Sequence, residues 1–120
     1  MNRDSFIAEF TAMGFQIEVP KTEFIAFPFT IPVGKLAGTK IKLGLQILGD
    51  APINPIPGPH ISPPLLPPNT TAEPHPKGGI HASPLGDGWQ YWSRPFKEWK
   101  EGERTARRYM AHLNNLFATL

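Results

Sequence analysis

Proline is concentrated in the middle of this chain. The 120-residue sequence contains 15 prolines, and ten of them lie between Ala51 and Pro76. Proline lacks a backbone N–H donor and fixes φ near about −65°, so this stretch is restricted to extended, polyproline-like or turn geometry and cannot be a helix. The chain therefore divides into a patterned front, a proline-rich segment of residues 51–76 and a patterned tail.

The proline-rich segment could be a disordered linker or an ordered loop. A linker of this composition usually carries few large apolar side chains. This segment contains several of them: Ile53, Ile56, Ile61, Leu65 and Leu66. We therefore expect an ordered loop that lies against the core.

The remaining composition predicts one small globular domain over residues 1–120. Hydrophobic residues make up 40% of the chain and charged residues 18%, and a chain this short rarely houses two cores. No apolar run approaches the roughly 20 residues that a membrane-spanning helix needs. The first residues, with Asp4 and Glu9, do not resemble a secretory leader. We expect a cytoplasmic protein that has no membrane partner.

The absence of cysteine limits the possible chemistry. With no cysteine, the chain has no disulfide, no thiolate zinc site and no thiol nucleophile. His60, His75 and His81 with Asp87 match no compact metal-ligand spacing, so we expect no metal and no cofactor. The net charge of +2 is too small to indicate a nucleic-acid partner.

The front of the chain has the periodicity of one helix followed by strands. Apolar residues at helical spacing predict a helix over residues 4–13, and Gly14 follows where a left-handed cap is favoured. Alternating or β-branched residues predict strands at residues 15–19, 23–31 and 39–47. Pro28 has no N–H to donate, so its strand should be an edge strand or carry a bulge there.

The tail combines a glycine-flanked turn, an aromatic cluster and a second helix. Four glycines surround the sequence His81-Ala82-Ser83-Pro84, which indicates a loop with unusual backbone angles. An aromatic cluster follows: Trp89, Tyr91, Trp92, Phe96 and Trp99. From residue 103 to residue 120, apolar residues form a single stripe and predict an amphipathic helix.

This order of elements resembles the ubiquitin-conjugating (UBC-like) fold. Three features carry the resemblance: the proline-dense residues 51–59 after the third strand, the triplet His81-Ala82-Ser83, and Trp99 shortly before the last helix. The family has a proline-rich stretch, a His-Pro-Asn triplet and a tryptophan at the matching places. The sequence is most similar to divergent bacterial UBC-like families found beside ubiquitin-like modifiers, activating enzymes and deconjugating peptidases.

The resemblance implies an α+β fold with an N-terminal helix, an antiparallel four-strand meander, a long proline-rich loop and a C-terminal helix. The sequence departs from the family pattern at two places in the site. Ala82 and Ser83 replace the proline and asparagine of the triplet. Tyr91 stands in the place of the catalytic cysteine, three residues after Gly88 and eight residues before Trp99.

Without a thiol, any covalent transfer would have to use a hydroxyl. A serine oxyester needs a neighbouring base. His81 could serve Ser83, because residues i and i+2 of an extended segment share a side. Ser93, two residues after Tyr91, is the second candidate carrier. Tyr91 could act only with a strongly lowered pKa. The alternative is that both serines are loop or capping hydroxyls and that Tyr91 is a packed aromatic residue.

Aromatic and basic side chains are candidates for partner binding. Trp99 is expected in the core, whereas Trp89 and Trp92 could pack the loop or anchor a partner. Three arginines form a basic cluster on the predicted last helix: Arg104, Arg107 and Arg108. They form either a solvated helical face or a surface for an acidic partner.

Three functions are consistent with these patterns. The first is a UBC-like component of a bacterial ubiquitin-like conjugation pathway, which binds the modifier or its activating enzyme and carries the modifier as a serine oxyester if it is active. The second is an inactive UBC-like binding module. The third, from outside the family, is a proline-rich interaction protein in which residues 51–76 contact a partner.

Overall fold

Two helices pack against one antiparallel sheet in the computed structural model of this chain, which describes residues 3–51, 53, 56–65, 80–92, 96 and 98–119. The elements in chain order are α1 (Arg3–Ala12), β1 (Phe24–Thr30), β2 (Lys40–Gln46), β3 (His60–Ser62), β4 (Ile80–Ala82), β5 (Gln90–Trp92), a 3₁₀ turn (Trp99–Glu101) and α2 (Ala106–Ala118). The predicted α+β class is confirmed. None of the helices in the described part is long and apolar enough to cross a membrane.

The end of α1 and the start of α2 each have a local cause in the sequence. Gly14 follows α1 with a φ of 97°, the left-handed conformation that favours glycine. Helix α2 begins later than predicted because Thr105 is extended and its side chain accepts a hydrogen bond from the Arg108 N–H. The Glu9 carboxylate of α1 accepts a second one, 2.8 Å from the Ala106 nitrogen. The two helices are thus joined at the N-terminus of α2.

The sheet differs from the predicted four-strand meander. The described residues form five strands in the order β1-β2-β3-β5-β4, so the meander of β1, β2 and β3 is followed by β5 and not by β4. Strand β4 lies at the far edge, and β5 returns between β3 and β4. All four strand pairs are antiparallel.

The strand predicted at residues 15–19 contributes a single bridge, between Glu18 and Ala26 of β1. These two residues exchange both backbone hydrogen bonds. In an antiparallel ladder the next hydrogen-bonded positions would pair residue 16 with Pro28 and Pro20 with Phe24. Both prolines lack the N–H that such a pair requires, so the ladder stops after one bridge. Pro28 lies on an edge strand, as predicted.

The helices cover one face of the sheet and form the core with it. Phe10 of α1 lies 6.0 Å from Phe27 of β1, and Phe117 of α2 lies 5.9 Å from Trp92 of β5, measured between ring centroids. Trp99 is only 1% exposed, so its predicted core position is confirmed. Fully burying a side chain of this size stabilises the fold by roughly 2–3 kcal/mol, which makes these contacts the main attachment of the helices.

The described part of the proline-rich segment is ordered against the core, as predicted. Ile56 and Ile61 are buried, and Leu65 packs against the core cluster. Ile53, by contrast, is 58% exposed. Strand β3 itself belongs to this segment and pairs with β2 and β5. Leu66 and the rest of the segment, through residue 76, lie outside the described residues.

Candidate functional site

Three side chains form a row on the sheet face opposite the helices. Tyr91 of β5 pairs in register with His60 of β3 on one side and with His81 of β4 on the other. Residues that pair in register point to the same face of a sheet, so these three side chains share one face. Successive residues of a strand point to opposite faces, so Trp92 points to the core. The Tyr91 ring centroid lies 4.7 Å from that of His60 and 6.0 Å from that of His81. The row runs from buried His60 to exposed His81.

The loop between β4 and β5 brings a serine to this row. We call residues 83–89 the site loop. Its first residue, Ser83, places its Oγ 2.7 Å from His60 Nδ1. The Leu85 N–H donates to the same oxygen at 3.1 Å, and the Gly86 N–H donates to the Ser83 carbonyl at 3.1 Å. Positive φ angles at Gly86 and Gly88 allow the tight path of the loop.

His60 is held in its neutral form. Burial lowers the pKa of His60 from 6.5 to about 4, because its surroundings disfavour the charged imidazolium. One of these surroundings is the Phe24 ring, whose centroid lies 5.1 Å from that of His60 in an edge-on arrangement. A neutral imidazole has one nitrogen that can accept a proton. The Leu85 N–H donates to Ser83 Oγ, and the hydroxyl donates its own proton to His60 Nδ1 in the tautomer that carries the imidazole proton on Nε2.

The histidine that contacts Ser83 is therefore His60 and not the predicted His81. Strand β4 ends at Ala82, so the strand alternation on which that prediction rested does not extend to Ser83. His81 is exposed and has Tyr91 as its ring neighbour. The sequence pattern did not indicate His60, because it lies 23 residues from Ser83 and reaches it only through the pairing of β3 with β5.

Tyr91 occupies the centre of the row as a half-buried aromatic residue. Its hydroxyl oxygen accepts a hydrogen bond from the Gly58 N–H at 3.3 Å. The phenol is thus fixed between the two histidines and the chain that precedes β3. Ser93, the other predicted carrier, lies outside the described residues.

The two tryptophans predicted for partner binding have different positions. Trp92 is fully buried, and its indole N–H donates to Gln90 Oε1 at 2.9 Å. It is a core residue and not the predicted partner anchor, because the strand alternation that exposes Tyr91 turns Trp92 towards α2. Trp89 is half-buried at the end of the site loop, where it packs over Gly44 of β2.

The three arginines predicted for partner binding have different surroundings. The Arg108 guanidinium donates to the carbonyl oxygens of Trp99, Glu103 and Glu98 at 2.7, 2.8 and 2.7 Å. Its Cζ lies 4.6 Å from the ring centroid of Phe96. Arg108 therefore holds the chain before α2 in place, and its predicted binding of an acidic partner stays a prediction.

Arg107 and Arg104 have no such role in the described contacts. Arg107 is exposed and lines a groove of about 280 Å³ between α1 and the start of α2, together with Glu9 and Glu103. Arg104 is half-buried. Their predicted binding of an acidic partner stays a prediction, although the carboxylates beside Arg107 reduce the local positive charge.

The described residues contain no group of three or more metal-ligating side chains that could hold a metal ion. No protein-family model, curated protein or solved structure matches this chain. The described residues form an α+β protein with a five-strand antiparallel sheet, in which Ser83 of the loop between β4 and β5 contacts His60 of β3.

Proposed function

We propose that this protein is a UBC-like component of a bacterial ubiquitin-like conjugation pathway and that it accepts the modifier on Ser83 as an oxyester. The observation that carries the proposal is the 2.7 Å contact between Ser83 Oγ and His60 Nδ1. A hydroxyl next to a neutral imidazole is the arrangement that nucleophilic serine chemistry requires. The chain has no cysteine that could form the thioester instead.

The arrangement of the row supports the link to the UBC-like family. In that family the histidine triplet and the nucleophile position lie close together. Here the corresponding residues are His81 and Tyr91, which pair directly across β4 and β5. Ser83, the last residue of the triplet, lies at the same site through its contact with His60.

The proposed reaction is an acyl transfer from the activating enzyme. Ser83 Oγ attacks the thioester carbonyl at the C-terminus of the modifier, so a C–O bond forms and the C–S bond breaks. The serine proton moves to His60 Nδ1, and the cysteine thiolate of the activating enzyme is the leaving group. ATP is consumed earlier, when the activating enzyme forms its thioester, so the transfer itself needs no further reactant.

The low pKa of His60 defines what the imidazole contributes. With a pKa of about 4, His60 is a weak base in the resting protein, and it does not remove the serine proton before attack. As the C–O bond forms, the serine oxygen becomes far more acidic and the transfer becomes favourable. The benefit of the low pKa is that His60 stays neutral and ready to accept a proton well below pH 6.5.

A second candidate function is a UBC-like binding module that forms no covalent bond. Two contacts favour it: Ser83 Oγ accepts the Leu85 N–H, as a turn-closing hydroxyl does, and the Tyr91 hydroxyl is engaged by Gly58. In this case the protein would bind the modifier or its activating enzyme through surfaces around the row. A proline-rich ligand segment has less support, because Ile56, Ile61 and β3 are part of the core and sheet.

The test starts with a search of the genes adjacent to this one for a ubiquitin-like protein and an activating enzyme, and it uses these two proteins. Incubation with both and ATP should give a covalent adduct that resists thiol reductant and is cleaved by hydroxylamine. Ser83→Ala should abolish the adduct, and Ser93→Ala, the matched control, should retain it. Measurable binding without an adduct would overturn the oxyester and favour the binding module. Absence of such neighbouring genes would remove the pathway assignment.

A further inference from the structure

Gly44 lies in the middle of β2, directly beside the candidate site. It pairs with His60 of β3 and is buried. Glycine weakens a strand interior, and where it occurs it often marks the close approach of another part of the chain. A Cβ added at Gly44 would lie 2.7 Å from Leu85 Cδ1, 3.1 Å from Trp89 Cζ3 and 3.3 Å from His60 Cβ. No side chain fits there without moving these neighbours.

Two of these neighbours belong to the site loop. Leu85 and Trp89 both pack over the backbone of Gly44. The same loop begins with Ser83, whose Oγ contacts His60 Nδ1. A further contact holds the loop from another direction, since Lys21 Nζ donates to the Pro84 carbonyl at 3.2 Å. The packing over Gly44 and the Ser83–His60 contact are therefore parts of one docked arrangement of the loop.

We propose that Gly44 is a positioning residue for the reactive pair: its missing side chain lets the site loop dock on the sheet, and this docking holds Ser83 Oγ against His60 Nδ1. Gly44 acts through Leu85 and Trp89 and touches no reacting atom. The inference rests on the proposed function for its meaning in catalysis. The geometric part, docking of the loop on Gly44, can be tested without any modifier.

The three contacts differ in how easily they can yield. The Leu85 methyl is the end of a flexible side chain and can turn away at small cost. The Trp89 indole is rigid, and the Cβ of His60 is fixed by β3. A methyl at position 44 therefore pushes mainly against Trp89 and His60, and the loop must lift to relieve the contact.

The first experiment measures the pKa of His60 by NMR titration in the whole protein. Gly44→Ala should raise the pKa of His60 from about 4 by about one unit or more, because a lifted loop lets water reach the imidazole. Gly49→Ala is the matched control, since a Cβ there has nothing within 4 Å, and it should leave the pKa unchanged. Adding Trp89→Leu to Gly44→Ala removes the rigid ring against which the new methyl pushes and should bring the pKa of His60 back down.

An unchanged pKa of His60 in Gly44→Ala would overturn the positioning role. The added Cβ can also lower the stability of the whole fold, so urea unfolding of Gly44→Ala is measured alongside, and the change in the pKa of His60 counts only where the variant is folded. Gly44→Ala should also slow adduct formation about tenfold at saturating activating enzyme. If the pKa rises and the rate stays unchanged, Gly44 docks the loop but does not position the reaction. If the pKa rises and the parent protein forms no adduct, only the oxyester fails.

Discussion

At the scale of single residues, the properties of the site follow from where His60 lies. The same side chain at the surface would titrate near 6.5, but burial against Phe24 and Tyr91 lowers its pKa to about 4. The ring is then neutral at neutral pH, and its Nδ1 lies 2.7 Å from Ser83 Oγ. Tyr91 contributes as a packed neighbour whose hydroxyl is held by Gly58. The chemistry of the pair therefore depends on burial more than on any charged partner.

The pKa of His60 predicts how stability changes with pH. Between pH 6.5 and about 4 the unfolded chain binds a proton at this histidine and the folded protein does not, so acid favours unfolding in that window. The free energy of unfolding should fall by on the order of 2 kcal/mol from this residue alone. Urea unfolding of the parent protein and of His60→Gln at several pH values measures it.

His60→Gln removes the titrating group, so the variant should lose less stability than the parent protein as the pH falls from 7 to 4. Other groups contribute equally to both proteins and cancel in the difference. Equal losses in the two proteins would contradict the lowered pKa of His60.

At the scale of elements, the sequence predicted the helices and strands whose periodic pattern is long enough to be recognised. Both helices and the strands β1 and β2 show periodicity over seven or more residues. Strands β3, β4 and β5 have three residues each, which is too short for any period to be recognised. The strand expected at residues 15–19 was limited to one bridge by prolines on both sides of the pairing, which only the register reveals.

The contact between Ser83 and His60 escaped prediction for the same reason. It joins a turn to a strand 23 residues away, and that distance is closed by strand pairing alone. Ser83 itself was recognised, because the triplet that contains it resembles a known motif. Its partner could have been suspected from one signal: a histidine inside an apolar stretch, where a neutral imidazole is expected.

Arg108 connects two elements, and its removal should be costly. Its guanidinium bonds three carbonyls around the 3₁₀ turn and stacks on Phe96. Arg108→Ala should lower the free energy of unfolding by about 2–3 kcal/mol, because hydrogen bonds to a charged donor are lost together with the stacking. Arg108→Lys should recover little of this loss, since an ammonium cannot reproduce the planar fork.

Arg107→Ala is the matched control for Arg108, because Arg107 is the adjacent residue on α2 and is exposed. It should change the free energy of unfolding by less than about 0.5 kcal/mol. Thermal or urea unfolding of the three variants measures the difference. A similar loss for Arg107→Ala and Arg108→Ala would contradict the structural role of Arg108.

At the scale of the whole molecule, one face of the sheet supplies stability and the other supplies the site. The helices pack on the first face through Phe10, Phe117 and their neighbours. The second face holds the row of His60, Tyr91 and His81, partly covered by the site loop. This division allows residues of the site to change without loss of the core.

The absence of cysteine makes one measurement decisive, because any thiol added to the chain is its only thiol. Ser83→Cys should accept the modifier from the activating enzyme and ATP as a thioester, which thiol reductant cleaves, whereas the parent adduct resists reductant. Tyr91→Cys, made in parallel, places the thiol where the family has it. The account predicts a reductant-labile adduct on Ser83→Cys. No adduct on Ser83→Cys, or one formed on Tyr91→Cys alone, would contradict it.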